Sequence, residues 1–442
     1  MGTGHRDRNK TGRSRAAMDR RGSEEMNKKD IKAFAKDVAK KNAVLREMMR
    51  AALQVKRRAK YRRHTKGCVT DDKTIVFSTF NGRSYGCTPK AVFLYMQQDE
   101  RFRDYHFIWS MKDPEKHQYL NDFPNTRVVK DNSPEYDRAL GTAKYWFFNY
   151  RIYDHIYPRK DQVYIQCWHG TPLKRLGYDL ETTDNAMNNL KEIRKKYRTD
   201  AEKFSYILSP SPFCTDKFGS AWNLKETGQT DKIVEVGYPR DDYMYNYTED
   251  EAAAVRKALG LPEDKKILLY APTWRDNQHD SKIGYVYRNE VDFDRLREAL
   301  QDEYVILFRA HYLVANSFDF EKYKGFIYDV SHYDDINELY VISDLLVTDY
   351  SSVFFDYANL KRPIIFYMYD LEYYKDELRG FYLDLSELPG PITTDEEGLI
   401  KAVKDTAGFR YDEAYAAFNE RFNGLNDGHA AKRLAERVIF GE

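Results

Sequence analysis

The stretch Val341 to Tyr367, VISDLLVTDYSSVFFDYANLKRPIIFY, leaves the chain few ways to fold. Leu345, Leu346 and Val347 form a short apolar run that reads as a buried strand. Pro363 to Tyr367 reads as another, and Val353 to Leu360 between them reads as a helix. That is a βαβ unit. In such units ligands collect beyond the carboxyl end of the strand, where the first free N–H groups of the helix point outward with a partial positive charge. The turn there is Thr348-Asp349-Tyr350-Ser351-Ser352. Ser351 and Ser352 can cap the helix and donate hydroxyls to a phosphate, and Asp356, about one turn inside it, can take a ribose or base donor. Ordinary capping serines and a strand-ending aspartate fit the same residues.

The pattern repeats along the chain. Strands are expected at Thr74 to Phe80, Tyr105 to Ser110, Lys144 to Tyr150, Gln162 to Trp168, before Ser209, and at Ile233 to Gly237. Others are expected at Lys266 to Tyr270 and Glu303 to Arg309, with helical or polar stretches between them. This alternation argues for parallel sheets in two α/β domains, 67–246 and 247–442, with Asn246 to Glu251 as the link. Several strands end in chemistry-bearing residues. The first runs into Asn81-Gly82-Arg83-Ser84, a Gly-bearing loop that can admit an anion or a substrate backbone. Gln162 to Trp168 runs into His169-Gly170-Thr171-Pro172-Leu173-Lys174. Gly170 permits close approach to the backbone, and Thr171-Pro172 reads as a helix start whose dipole would disfavour imidazolium, so a neutral His169 could accept a proton; a histidine satisfied by local backbone fits the same residues. Glu303 to Arg309 ends beside His311, where Arg309 can fork two hydrogen bonds onto phosphate. Glu338 can accept both hydroxyls of a ribose. Lys191 to Arg198 can face phosphate or form a solvated helix face. No GxGxxG, P-loop or paired-carboxylate metal signature occurs, so neither a dinucleotide oxidoreductase nor a P-loop enzyme is supported.

The net charge of +1 conceals an asymmetry: residues 1–66 carry 22 Lys and Arg against 7 Asp and Glu. Residues 1–27 are polar and basic and read as a disordered tail, with Met18 and Met26 as alternative starts. Over 28–66, Ile31, Phe34, Val38, Leu45, Met48, Met49, Ala52 and Leu53 recur at three- and four-residue spacing among cations. This is a basic amphipathic helix suited to an anionic membrane surface; a helix packed on the protein or a nucleic-acid tail is the alternative. Interleaved aromatics, which RNA binding would call for, are nearly absent, so no nucleic acid is expected. There is no apolar run long enough to span a bilayer and no signal-peptide core. Four cysteines without CxxC spacing point to a reducing cytoplasm and no zinc site. The 36 tyrosines suit clefts wetted by polar substrates.

HGTPLK at 169–174, APTWR at 271–275, RAH at 309–311, DINEL at 335–339 and TDYSSVFFD at 348–356, with NGRSYGCTPKA at 81–91, occur in that order. Together they resemble the CDP-glycerol glycerophosphotransferase family, the teichoic acid primases and polymerases. The resemblance covers Thr74 to the C-terminus. It implies a GT-B architecture, two Rossmann-like domains facing across a cleft, and a peripheral enzyme on the inner face of the cell membrane. It implies transfer of glycerol phosphate from CDP-glycerol to a lipid-linked acceptor, with release of CMP and no cofactor or metal. His169 and His311 match the family's two functional histidines, with His169 as general base. Gly170, Thr171, Thr273, Arg275, Arg309, Glu338, Thr348, Ser351, Ser352 and Asp356 would line the donor site, Glu338 and Asp356 at the cytidine end. Asn81, Gly82, Ser84 and Lys174 would face the acceptor. The alternatives are ribitol-phosphate transfer from CDP-ribitol, a nucleotide-sugar glycosyltransferase of the same fold, and a non-catalytic scaffold.

Overall fold

The computed structural model describes residues 43–182, 189–273, 279–280, 284–285, 291–310, 318–371 and 380–442, with the backbone alone for 43–47, 279–280 and 284–285. The expected disordered tail at 1–27, the first part of the expected helix at 28–42, and the site candidates Arg275 and His311 lie outside the described residues. The chain divides into residues up to Arg63 and a second unit from His64 to Glu442. The first unit contributes most of helix α1, Ala43–His64.

The second unit is built on two parallel sheets. In the first, β1 (Asp71–Ser78), β2 (His106–Met111), β3 (Thr126–Lys130), β4 (Ala143–Phe148), β5 (Val163–Gln166), β6 (Tyr206–Ser209) and β7 (Ile233–Glu235) lie in the order β3-β2-β1-β4-β5-β6-β7. In the second, β8 (Lys266–Ala271), β9 (Tyr304–Phe308), β10 (Ile327–Asp329), β11 (Leu345–Thr348), β12 (Ile364–Tyr367) and β13 (Ile392–Thr393) lie in the order β10-β9-β8-β11-β12-β13. Every adjacent pair in both sheets is parallel. Both halves therefore follow the Rossmann-like, doubly wound plan of a GT-B protein. In each, strand order reverses between the first strand and the fourth, and a crevice opens beyond their carboxyl ends.

Burial explains why the central strands show as apolar runs. Both faces of a parallel sheet are covered, so Tyr304 to Phe308 and Leu345 to Thr348 are buried at every position. Strands β3, β10 and β13 do not show this way. They lie at the sheet edges and are short, and β3 carries a charge at two of its five positions, as an edge permits. In the first half, Phe77 stacks between Trp109 (5.3 Å) and Phe147 (5.4 Å) and meets Phe93 edge-on at 5.7 Å.

The tail ties the halves together. Helix Glu413–Asn423 buries Tyr415, Phe418 and Phe422 against the second sheet. The next helix, Ala430–Ala435, buries Ala431, Leu434 and Ala435 in the core of the first. Arg433 secures the crossing by donating to the carbonyls of Val236 and Leu425. Truncating a fully buried leucine removes transfer energy and leaves a cavity, so Leu434→Ala is expected to destabilise the protein by about 2–5 kcal/mol in urea unfolding. A loss under about 1 kcal/mol would mean that the tail does not hold the first core.

Candidate active site

The crevice lies where the carboxyl ends of both sheets meet. A Cβ added at Gly170, after β5, would stand 2.9 Å from the Ser352 hydroxyl, after β11, and 3.6 Å from Nη2 of Arg240, after β7. Gly170 has φ +153, so its freedom and its lack of a side chain are both used at this contact. Two loops 182 positions apart in sequence thus touch through the smallest residue.

His169 lines this crevice. Its ring is open to solvent on one side, while protein groups crowd it from the others. Nδ1 lies 2.9 Å from the Asn149 carbonyl, at the end of β4. A carbonyl only accepts, so Nδ1 carries the hydrogen and the Nε2 lone pair is left free. Desolvation lowers the imidazole pKa from its ordinary value of 6.5; the Arg240 charge pushes the same way, and the bond to Asn149 opposes them. The expected helix start at Thr171-Pro172 is not the cause. Residues 171–176 are drawn out, with Tyr382 N–H donating to Leu173 (2.7 Å) and Arg175 N–H to Gly380 (3.1 Å). Those partners lie on another segment, and the bonds made with them override the local Thr-Pro signal.

Across the crevice, Asp349 accepts from the backbone N–H (2.8 Å) and hydroxyl (2.6 Å) of Thr273, joining the turns after β8 and β11. Ser351 and Ser352 are half-buried. Ser352 precedes the short helix Val353–Tyr357 but makes no side-chain capping bond, so its hydroxyl is not committed to the helix end. Thr348 is committed: its hydroxyl donates to the Ala271 carbonyl at 2.8 Å, inside the sheet.

Several candidates are held by partners within the protein. Asp356 is buried and accepts from Arg240 Nη2 at 2.5 Å. Arg309 donates from one Nη to the carbonyls of Val330 (2.9 Å) and Tyr333 (2.8 Å). Glu338 accepts from Lys90 and from the Tyr333 hydroxyl, each at 2.5 Å. The buried Thr171 hydroxyl faces Cys214 Sγ at 3.5 Å. Lys174 pairs by backbone with Phe381. In the first loop, Asn81 and Gly82 have left-handed φ values of 60 and 73. A Cβ at Gly82 would sit 2.8 Å from the Lys112 amide nitrogen, so this glycine serves packing against the end of β2 rather than an opening for a ligand. Ser84 offers its carbonyl to the Thr79 hydroxyl.

Sequence reasoning left out Arg240, Asn149, Phe80 and Lys90. Burial works against the Arg240 charge, but Asp356, Cys87 and Asp241 outweigh it and keep the guanidinium charged. With one cation between two buried carboxylates, the shared proton belongs on Asp241, raised by burial and by the charge of Asp356. The only signal in the sequence was a polar residue just past an apolar run, in FFNY for Asn149 and VGYPR for Arg240. Among the described residues, no group of three or more His, Cys, Asp or Glu could hold a metal ion.

Comparison with known proteins agrees with this fold. Residues 59–440 match the model of the CDP-Glycerol:Poly(glycerophosphate) glycerophosphotransferase family. The chain is 40% identical over 372 residues to the teichoic acid poly(glycerol phosphate) polymerase of Staphylococcus epidermidis, covering 83% of this chain and 50% of that protein. It is 37% identical over 371 residues to the enzyme of the same name from Bacillus spizizenii, covering 84% of this chain and 92% of that one. The chain thus spans half the length of one relative and nearly all of the other. A structure of the wall teichoic acid polymerase TagF, a His-to-Asn variant soaked with CDPG, superposes with a TM-score of 0.78 at 36% identity, covering 91% of this chain and 98% of that one. The chain belongs to the CDP-Glycerol:Poly(glycerophosphate) glycerophosphotransferase family.

Proposed function

We propose that this protein transfers glycerol phosphate from CDP-glycerol to a lipid-linked polyol-phosphate acceptor and releases CMP. The observation that carries the reading is His169: a histidine with a free Nε2 lone pair and a lowered pKa, in a crevice where two doubly wound sheets meet. In the step proposed, Nε2 takes the proton of the acceptor's terminal hydroxyl. That oxygen forms a bond to the β-phosphorus of the donor, the bond from phosphorus to the bridging oxygen breaks, and CMP departs with the electron pair. Phosphoryl transfer depends mostly on positioning and on charge stabilisation. The open Ser352 hydroxyl, Ser351 and the Thr273 turn would meet the diphosphate, with His311 and Arg275 as further donor-side groups. The interactions of Asp356 and Arg309 within the protein favour a supporting role for both: they hold the loops that the diphosphate would touch. Glu338 reaches a ribose only if Lys90 and Tyr333 share it.

Helix α1 supports a second component, attachment to an anionic membrane surface. From Arg46 to Arg63 it carries eight cations against Glu47, and Met48, Leu53 and Val55 are exposed. No helix among the described residues is long and apolar enough to cross a membrane. Each cation near an anionic surface contributes about 1 kcal/mol at low salt.

His169→Ala is expected to lower turnover by about 10²- to 10⁴-fold, the usual worth of a general base, with the fold unchanged by circular dichroism. Unchanged turnover would remove His169 from the mechanism. Because the base works only when neutral and its pKa lies below 6.5, the acid limb of kcat/KM should fall below pH 6.5. A limb centred at pH 7 or above would contradict the assignment. Protein shortened to begin at His64 should lose sedimentation with anionic vesicles while keeping its thermal transition; retained sedimentation would exclude α1 as the anchor.

A further inference from the structure

The turn after β1 places three consecutive residues in the left-handed region: Phe80 (φ 46), Asn81 (φ 60) and Gly82 (φ 73). Glycine adopts this conformation freely and asparagine at small cost, but a phenylalanine there is strained. The surroundings impose it. Phe80 N–H donates to Oδ1 of the fully buried Asn149 at 2.8 Å, and the N–H groups of Gly82 and Arg83 both turn back to the Thr79 carbonyl.

The strain has a visible result. Ile75, Val76 and Phe77 on the strand before it are wholly buried, whereas Phe80 is 37% exposed and meets the His169 ring edge-to-face, with centroids 6.1 Å apart. Trp168, also left-handed at φ 48, lies against the same imidazole at 4.3 Å. Asn149 serves both sides of the arrangement: its side chain fixes Phe80 and its carbonyl fixes His169 Nδ1. Backbone strain maintained to bring an apolar ring into a polar crevice is the mark of a functional position.

We propose that Phe80 is an acceptor-positioning residue, its exposed ring packing on the carbon face of the terminal polyol and aiming its hydroxyl at His169 Nε2. The inference rests on the transferase reading above. The acceptor is the substrate concerned because Phe80 adjoins the base that takes the acceptor's proton, whereas the diphosphate-facing turns belong to the second sheet. A ring without a polar group suits the place. It offers the C–H edges of a polyol a flat apolar surface and cannot compete with the hydroxyl for the histidine lone pair.

Phe80→Gly separates this role from a structural one, since glycine relieves the strained φ while removing the ring. The expected result is a thermal transition unchanged or raised, an acceptor KM about tenfold higher, and an unchanged KM for CDP-glycerol. Phe80→Leu, which keeps an apolar surface and adds no group that could compete for Nε2, should raise the acceptor KM less than Phe80→Gly does. A Phe80→Gly enzyme with the wild-type acceptor KM, or with equal defects toward both substrates, would overturn the inference while leaving the transferase reading intact. A folded wild-type protein that releases no CMP from CDP-glycerol would overturn the transferase reading, and this inference with it.

Discussion

The meeting of the two sheets depends on a buried ion pair, Arg240 with Asp356. Arg240 follows the last strand of the first sheet and Asp356 sits in the helix after the fourth strand of the second, yet their side chains lie 2.5 Å apart and nearly without solvent. A guanidinium or a carboxylate buried singly would be intolerable; as a pair they hold only if each stays in place. Further contacts prolong the clamp. Asn337 donates to the Arg240 carbonyl at 2.6 Å, and Lys90 reaches Asp335 and Glu338 at 2.8 and 2.5 Å. Through this arrangement the Gly170 backbone comes against Ser352. The crevice is thus a product of charge pairing between halves as much as of either sheet.

The same cation shapes the chemistry. Arg240 stands close enough to His169 to disfavour imidazolium, and the crevice walls keep part of the solvent from a ring that stays open on one side, so both effects favour a neutral base. The Asn149 carbonyl then selects the tautomer with its free lone pair toward the crevice. No helix dipole is needed for this, and none is aimed at His169 from residues 171–176, whose backbone bonds go to 380–382.

Much of the fold is legible in the residues because a strand buried on both faces is mostly apolar, as YVILF is throughout and LLVT is up to its last residue. Edge strands escape that constraint; TRVVK, with a charge at two of its five positions, reads equally well as loop. His169 and Ser352 could be picked out because ligands gather where parallel strands end. Their convergence could not, since it depends on partners more than a hundred residues away. Arg240 and Asp356 are 116 positions apart, and nothing local distinguishes Asp356 as the partner of an arginine from Asp356 as a ligand for a nucleoside. Asn149 is hidden for a similar reason: half of its role is carried by a backbone carbonyl, which any residue would supply.

The account is tested most directly by CMP release, measured with purified protein, a glycerol-phosphate-primed lipid acceptor, and CDP-glycerol or CDP-ribitol in parallel, with product size followed on a gel. It predicts CMP from CDP-glycerol only when acceptor is present, matched by product gaining glycerol phosphate. CMP from CDP-ribitol alone would contradict the donor assignment. Silence with both donors, in folded protein and on more than one acceptor, would contradict the transferase reading itself.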